Sequence, residues 1–249
     1  MECMSANFST ASTNFLTGQT ALVTGGTRGI GLAIAQALAA EGANVLICGR
    51  NQSNVDNAVR QLTNQAKSKV AGKVADVRRS TEVADLFGFA DSEFGGLDIL
   101  VNNAGLGIFR PTAELKIDEW QTTLETNLTG VFYCCREGLA RMLKRGAGYV
   151  INIGSLAGKN AFAGAAAYNA SKFGLRGFSE AMMLDHRYDN VRVTHIMPGS
   201  VDTEFSPSSA RADWKIAPED IGQIVLMLLK MPDRTLVSQI EVRPSKPKK

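Results

Sequence analysis

Seven short apolar runs, at 21–23, 43–48, 70–75, 98–101, 149–153, 191–197 and 236–242, alternate with helical patterns along the whole chain. The helical stretches are 30–41, 53–66, 80–94, 118–144, 165–188 and 218–230, the third of them with Ser80 as its N-cap. The strand runs are apolar throughout and do not alternate with polar residues, which is the composition of strands covered on both faces. Strand–helix alternation of this kind predicts an α/β fold with a parallel sheet between two helical layers. The 249 residues suffice for one large domain with its own core. We place it at 19–243, after a flexible Ser/Thr/Asn-rich leader at 1–18 and before a basic tail at 244–249. In such a sheet ligands bind beyond the carboxyl ends of the strands, so those ends are read in turn.

The first strand runs straight into Thr24-Gly25-Gly26-Thr27-Arg28-Gly29-Ile30-Gly31, where a helical pattern begins. Strand, tight turn, helix is the geometry that aims backbone N–H groups at a phosphate. Gly25, Gly29 and Gly31 are spaced G-x-x-x-G-x-G, which is neither the G-x-G-x-x-G fingerprint nor a Walker loop. Arg28 faces the positive end of a helix dipole, which disfavours it by roughly 0.3–1 kcal/mol unless an anion sits beside it. A solvated surface arginine is the plainer alternative.

The second strand ends in Gly49-Arg50-Asn51, and no Asp or Glu occurs between Glu41 and Asp56. A site for NAD places an acid there, on the ribose hydroxyls. An arginine suits a phosphate instead, through bidentate charge-assisted hydrogen bonds. Arg28 and Arg50 together would clamp a 2′-phosphate, which favours NADP(H). After the third strand, Asp76 either caps the following turn or accepts from an adenine amino group while Val77 packs on the ring. Asn103-Ala104-Gly105, after the fourth, is an ordinary turn or the back wall of a cofactor.

The fifth strand ends in Gly154-Ser155, and Tyr168 and Lys172 follow in a helical pattern. Positions i and i+4 share one helix face. A phenol titrates near ~10, and a neighbouring cation lowers that by roughly 1–3 units. The pair is therefore an acid/base group usable near neutral pH.

Together these residues resemble the short-chain dehydrogenase/reductase family. The resemblance rests on Thr24 to Gly31, Asp76, Asn102-Asn103-Ala104-Gly105, Asn127, Ser155, Tyr168-Asn169-Ala170-Ser171-Lys172 and Pro198-Gly199-Ser200-Val201-Asp202-Thr203. It implies a doubly wound, Rossmann-like fold with a seven-stranded parallel sheet. It implies a catalytic set of Asn127, Ser155, Tyr168 and Lys172. Tyr168 would be the acid/base and Ser155 would polarise the carbonyl. Lys172 would hold the nicotinamide ribose and lower the tyrosine pKa, and Asn127 would order a water between Lys172 and solvent. The cofactor set it implies is Gly25, Thr27, Arg28, Gly29, Ile30, Gly31, Arg50, Asp76, Val77, Asn103, Ala104, Gly105, Tyr168, Lys172, Pro198, Gly199, Val201 and Thr203, with Thr203 on the carboxamide. The expected activity is NADP(H)-dependent hydride transfer between nicotinamide and a small-molecule carbonyl or alcohol. A 3-oxoacyl-acyl-carrier-protein (or acyl-thioester) reductase and a non-catalytic NADP(H)-sensing protein are the alternatives. Leu106, Ile108, Phe109, Leu156, Phe162, Phe205 and Trp214 are candidates for an apolar substrate pocket, under a short lid between Thr203 and Pro218.

Composition limits other functions. A net charge of +3 is too small to argue for nucleic acid or an anionic membrane. No apolar stretch is long enough to span a bilayer, and residues 1–27 lack Lys and Arg, so neither a membrane nor a secretory or mitochondrial address is expected. Cys3, Cys48, Cys134 and Cys135 form no C-x-x-C, which fits reduced thiols in the cytoplasm. His186 and His195 carry no motif, so no metal site is expected, and His195 reads as a core histidine with satisfied nitrogens. The helices at 118–144 and 165–188 carry apolar residues on more than one face, including Val131, Phe132, Leu139, Met142, Phe173, Leu175, Phe178 and Met182. The surplus suggests a subunit interface, and the resemblance implies a homotetramer, with a homodimer as the alternative.

Overall fold

The computed structural model describes residues 14–205 and 213–247. Among these, β1 (Thr20–Thr24), β2 (Asn44–Gly49), β3 (Val70–Val74), β4 (Ile99–Asn102), β5 (Gly148–Ile153), β6 (Val191–Pro198) and β7 (Gln239–Val242) form one sheet in the order β3-β2-β1-β4-β5-β6-β7. Every neighbouring pair is parallel. The chain winds outward from β1 to β3, returns to the middle, and winds the other way from β4. That reversal leaves a crevice at the carboxyl ends of β1 and β4.

The side chains alternate between two cores, which explains the unbroken apolar runs. Ala21, Val23, Val45, Ile47, Ile99 and Val101 face α1 (Gly29–Ala40), α2 (Gln52–Thr63) and α7 (Pro218–Leu229). Leu22, Leu46, Leu100, Val150 and Val193 face the other layer, α3 (Ser80–Phe94), α5 (Gly130–Arg145) and α6 (Ala166–His186). No helix among the described residues is long and apolar enough to cross a membrane.

Several boundaries differ from the sequence expectation. The helix expected at 118–144 is three pieces: α4 (Ile117–Leu124), a π-helical turn (Glu125–Thr129), and α5. Ser80 is the first residue of α3 and not its cap; Arg79 holds that position, with no side-chain cap bond. Glu82, in the first turn, accepts instead from the Asp76 N–H at 2.8 Å. β7 is shorter than 236–242 because its pairing with β6 begins only at His195 and Gln239. A leader reaching residue 18 is too long. Leu16 is buried, its N–H donates to the Glu41 carbonyl at 3.0 Å, and Phe15 packs on the same core. Val131, Met142, Leu175 and Met182 are core residues and not surplus, whereas Phe132 and Phe173 remain exposed. Residues 1–13 of the leader, Lys248 and Lys249 of the tail, and 206–212 of the expected lid lie outside the described residues.

Candidate active site

The β1–α1 turn is built by close approach. Gly25 and Gly29 both have positive φ, 62° and 54°, where a side chain would be strained. A Cβ on Gly25 would lie 2.9 Å from the Ala104 Cα, and one on Gly31 only 2.3 Å from the Gly25 carbonyl oxygen. Asn103 pins this contact: its Nδ2 donates to the Thr24 and Gly25 carbonyls, each at 3.1 Å. The Thr24 hydroxyl accepts from the N–H groups of Asn103 and Ala104 at 3.0 and 3.1 Å. Asn103 therefore acts as the rivet between β1 and β4. The loop after β6 closes the far side, with Thr203 Cγ2 3.3 Å from where a Gly29 Cβ would be. No acidic residue occupies the first turn of α1, and Arg28 at its N-cap makes no side-chain capping bond. The N–H groups there and the bare glycine turn form a cradle of the shape and polarity a pyrophosphate needs.

The charged residues around the cradle are arranged less simply. Arg28 reaches Glu204 at 3.2 Å, both largely exposed, a pairing worth little in water and open to exchange for a phosphate. Asp76 accepts from Arg78 Nε with both carboxylate oxygens, at 3.0 and 2.9 Å, and from the Arg78 N–H at 3.1 Å. That guanidinium is the main reason its carboxyl titrates below the usual range, with the Arg50 charge contributing further. The capping alternative thus describes Asp76 as it stands.

Across the cleft, α6 presents Tyr168 and Lys172, both buried. The Lys172 ammonium donates to the Ile153 carbonyl at 3.0 Å and lies 5.8 Å from the centre of the Tyr168 ring. Burial lowers its pKa to about 8. The expected lowering of the phenol is not found. Burial holds Tyr168 above its ordinary value, opposed only by the facing Ser155 hydroxyl. Lys172 contributes nothing to the shift: its ammonium lies 5.8 Å from the ring centre and is directed at the Ile153 carbonyl. Ser155 caps a short 3-10 turn, accepting from the Ala157 N–H at 3.1 Å.

A cleft of about 1300 Å³ is lined by Gly25, Thr27, Arg28, Gly29, Ile30, Arg50, Asp76, Val77, Asn103, Ala104, Gly105, Ser155, Tyr168, Lys172, Pro198, Gly199, Val201 and Thr203. Two expected site residues stand behind that wall. Gly31 is a packing glycine, as its clash distance shows. Asn127 is fully buried in the π-helical turn. Its amide accepts from the Leu106 N–H at 2.9 Å and donates to the Leu106 carbonyl at 2.8 Å and to Ser171 Oγ at 3.0 Å. It fixes the loop after β4, and π turns of this kind accommodate such a local misfit. Asn169 also supports the site, donating to the Ala157 carbonyl at 2.8 Å; its place in the Tyr168–Lys172 motif was the sequence signal for it. Of the apolar candidates, Leu106, Phe109, Leu156, Phe162, Phe205 and Trp214 reach the cleft and Ile108 does not. Among the described residues, no group of three His, Cys, Asp or Glu side chains is placed to hold a metal.

His195 departs from expectation. Its register partners across the sheet are Asn152 on β5 and, beyond it, Asn102 on β4. Asn102 donates to Asn152 at 2.8 Å and Asn152 to Ser179 at 2.9 Å, so that polar row is used up before it reaches the imidazole. Both ring nitrogens are buried without a partner. The ring occupies the space of a missing side chain: a Cβ on Gly154 would lie 2.0 Å from Nε2. Burial, helped by the charges of Lys172 and Arg176, lowers its pKa to about 4.

The strand order, the glycine turn and the cleft at the sheet's reversal define the Rossmann-like class. Residues 19–214 match the family model for the short chain dehydrogenases. An uncharacterized oxidoreductase of Staphylococcus aureus (strain MRSA252) is 35% identical over 221 residues, covering 88% of this chain and 94% of the relative. Among solved structures, a metagenomic short-chain oxidoreductase in complex with NADP is 33% identical with a TM-score of 0.83, over 93% of this chain and 99% of its own. An alcohol dehydrogenase from the archaeon Thermococcus sibiricus, complexed with 5-hydroxy-NADP, is 27% identical with a TM-score of 0.86 over the same shares. The chain belongs to the short chain dehydrogenase family.

Proposed function

We infer that this protein is an NADP(H)-dependent oxidoreductase interconverting a carbonyl compound and its alcohol, with Tyr168 as the acid/base. One observation carries the reading: the Tyr168 phenol, the Ser155 hydroxyl and the Lys172 ammonium meet at one end of a cleft whose other end is a glycine cradle. The bare turn at Gly25 and Gly29 fits a dinucleotide pyrophosphate, and Arg28 and Arg50, with no acid at the end of β2, suit a 2′-phosphate. The solved relatives that hold NADP and 5-hydroxy-NADP support that choice.

Bound NADPH supplies the hydride. The chain's own residues hold and move the proton. Tyr168, kept protonated at neutral pH by its burial, donates to the oxygen of the carbonyl as charge develops there. Ser155 donates to the same oxygen and shares that charge. Lys172, already donating to the Ile153 carbonyl, would offer its remaining hydrogens to the cofactor ribose. Asn127 and Lys172 approach Gly105 together, Oδ1 and Nζ lying 3.3 and 3.9 Å from its missing Cβ, which suits a water held between the two. Three buried free thiols, Cys48, Cys134 and Cys135, fit a reducing cytoplasm. The exposed Phe132 on α5 and Phe173 on α6 suit a homotetramer or homodimer joined through these helices.

The test is NADPH oxidation against a panel of ketones, aldehydes and acyl thioesters. Turnover of at least one, lost in Tyr168→Phe, is the expected result. Tight NADPH binding with no turnover anywhere would leave the protein a cofactor sensor.

A further inference from the structure

The substrate end of the cleft is walled by phenylalanine. Phe109 meets the Tyr168 ring edge-on, with centroids 5.6 Å apart at 71°. Phe205 lies on the same ring at 5.8 Å and 52°. Phe162 continues the wall from Phe109 at 5.9 Å and 38°. Phe109 and Phe205 both converge on Gly107, where a Cβ would lie 2.7 and 2.9 Å from their ring atoms. Yet Phe109, Phe162 and Phe205 are 43, 51 and 42% exposed. Two half-covered rings on the phenol, and a third behind Phe109, present aromatic faces and edges along the approach to its hydroxyl. The charged residues next in sequence to two of these rings are ion-paired, and Arg28 leaving for a phosphate would leave Glu204 an anion that repels a carboxylate. Arg110, next to Phe109, is paired with Glu119 at 2.8 Å, and Glu204, next to Phe205, with Arg28 at 3.2 Å.

Resting on the reductase reading above, we propose that the substrate is an uncharged ketone or aldehyde carrying an aromatic ring on, or next to, the carbonyl carbon, seated against Phe109, Phe162 and Phe205. Apolar area alone would admit an alkyl chain equally well. The tilted, edge-to-face placement of the existing rings favours another ring, because aromatic pairs in such geometries gain beyond their burial. A flat ring also has fewer rotamers to lose on binding than a chain of the same size. In the reaction the carbonyl carbon accepts a hydride from bound NADPH, the C=O π pair takes the Tyr168 proton, and an alcohol and NADP⁺ result. Solvent then returns a proton to the phenolate.

The experiment compares kcat/KM for acetophenone, for 2-octanone, an aliphatic ketone of equal carbon count, and for benzoylformate, an aryl ketone with a carboxylate in place of the methyl group. The expected order is acetophenone about fivefold or more above 2-octanone, the range of an aromatic-pair gain, with benzoylformate lowest. Phe109→Ala and Phe162→Ala, each removing a half-exposed ring, should lower the acetophenone to 2-octanone ratio about threefold or more. Their NADPH affinity and melting temperature should stay near wild type. The proposal is overturned if 2-octanone or benzoylformate is reduced as well as acetophenone, or if the ratio ignores both substitutions. In those cases the reductase reading survives. If no carbonyl is reduced while NADPH binds, both fall together.

Discussion

At one end of the cleft the wall is main chain, and at the other it is side chain. The cradle after β1 consists of Gly25, Gly29 and the carbonyls pinned by Asn103, and a carbon added at Gly25 would lie 2.9 Å from the Ala104 main chain. The far end is Phe109, Phe162 and Phe205, rings with about half their surface uncovered. A dinucleotide's phosphates are met by fixed backbone dipoles, whereas a variable substrate is met by surfaces that substitution can reshape without touching the fold. The chemistry proposed above falls at the seam, where Tyr168 belongs to a helix on one side and to the aromatic wall on the other. Three further measurements, and one at the seam itself, break or sharpen this contrast.

The largest effect is expected at the seam. Tyr168→Phe keeps the ring and its contacts with Phe109 and Phe205 and removes only the hydroxyl. Turnover should fall by about 10²–10⁴, the worth of general acid–base assistance, while NADPH affinity, measured by fluorescence, holds within about twofold because the cradle is untouched. Loss of both together would show that the two ends are not separable. In the wild type, reduction should stay flat through neutral pH, where the phenol is protonated. Alcohol oxidation should climb toward pH 10, since burial raises the group that must lose its proton.

Gly31→Ala, just behind the cradle, and Gly88→Ala, on α3, make the same change with opposite results. At Gly31 the new carbon meets a carbonyl 2.3 Å away and Asn103 Nδ2 at 2.4 Å; at Gly88, on the exposed face of α3, it meets nothing within 4 Å. Overpacking at Gly31 should cost about 1–3 kcal/mol, a fall of roughly 2–12 °C in melting temperature, and remove most NADPH binding. Gly88→Ala should be neutral or stabilising by up to about 1 kcal/mol. A thermal melt of each variant with and without NADPH reads both effects.

Which parts could be read from the sequence follows from the same contrast. The glycine turn, Arg50, Asp76 and the Tyr168–Lys172 pair were legible because backbone geometry and helical spacing act over a few residues. Four features depend on contacts between distant segments. The π-helical turn at Asn127 exists because its amide clamps Leu106, 21 residues away. Arg28 is engaged by Glu204, 176 positions later. Tyr168 is raised and not lowered because burial outweighs the Ser155 hydroxyl and Lys172 is turned to the Ile153 carbonyl, 19 residues away. His195 is unpaired because Asn152 turns to Ser179. Each is a competition between partners, and composition or spacing cannot say which partner wins.

His195 yields a stability prediction independent of activity. Its pKa is lowered from 6.5 to about 4 in the folded chain. Above pH 6.5 both the folded and the unfolded state hold it neutral, and its contribution is complete. As pH falls from 6.5 toward 4 the unfolded chain takes up a proton that the folded chain refuses, so stability is lost across that window, by up to about 3 kcal/mol. Urea unfolding at pH 7 and pH 5 should show the decline in wild type and a flatter profile in His195→Gln. Identical slopes would show that the imidazole is hydrated or protonated in the fold.

The smallest effect is expected at the rim of the cradle, where side chains first replace main chain. Arg50 lines the cleft and contributes to holding the Asp76 carboxyl low. It has no ion-pair partner among the described residues, whereas Arg28 is partnered by Glu204. A phosphate arriving there must compete for Arg28 but not for Arg50. Arg50 should therefore carry more of the discrimination between NADPH and NADH. Each charge-assisted contact is worth roughly 1.5–3 kcal/mol before solvent screening, which leaves about tenfold at an exposed site. Arg50→Ala should weaken NADPH binding about tenfold at low salt and leave NADH binding nearly unchanged. Arg28→Ala should give a smaller loss, because in the wild type a phosphate gains that arginine only by displacing Glu204. Raising the ionic strength should shrink the Arg50 effect further. Equal loss of NADPH and NADH affinity in Arg50→Ala would place that arginine on a group common to both cofactors, and the 2′-phosphate assignment would fail.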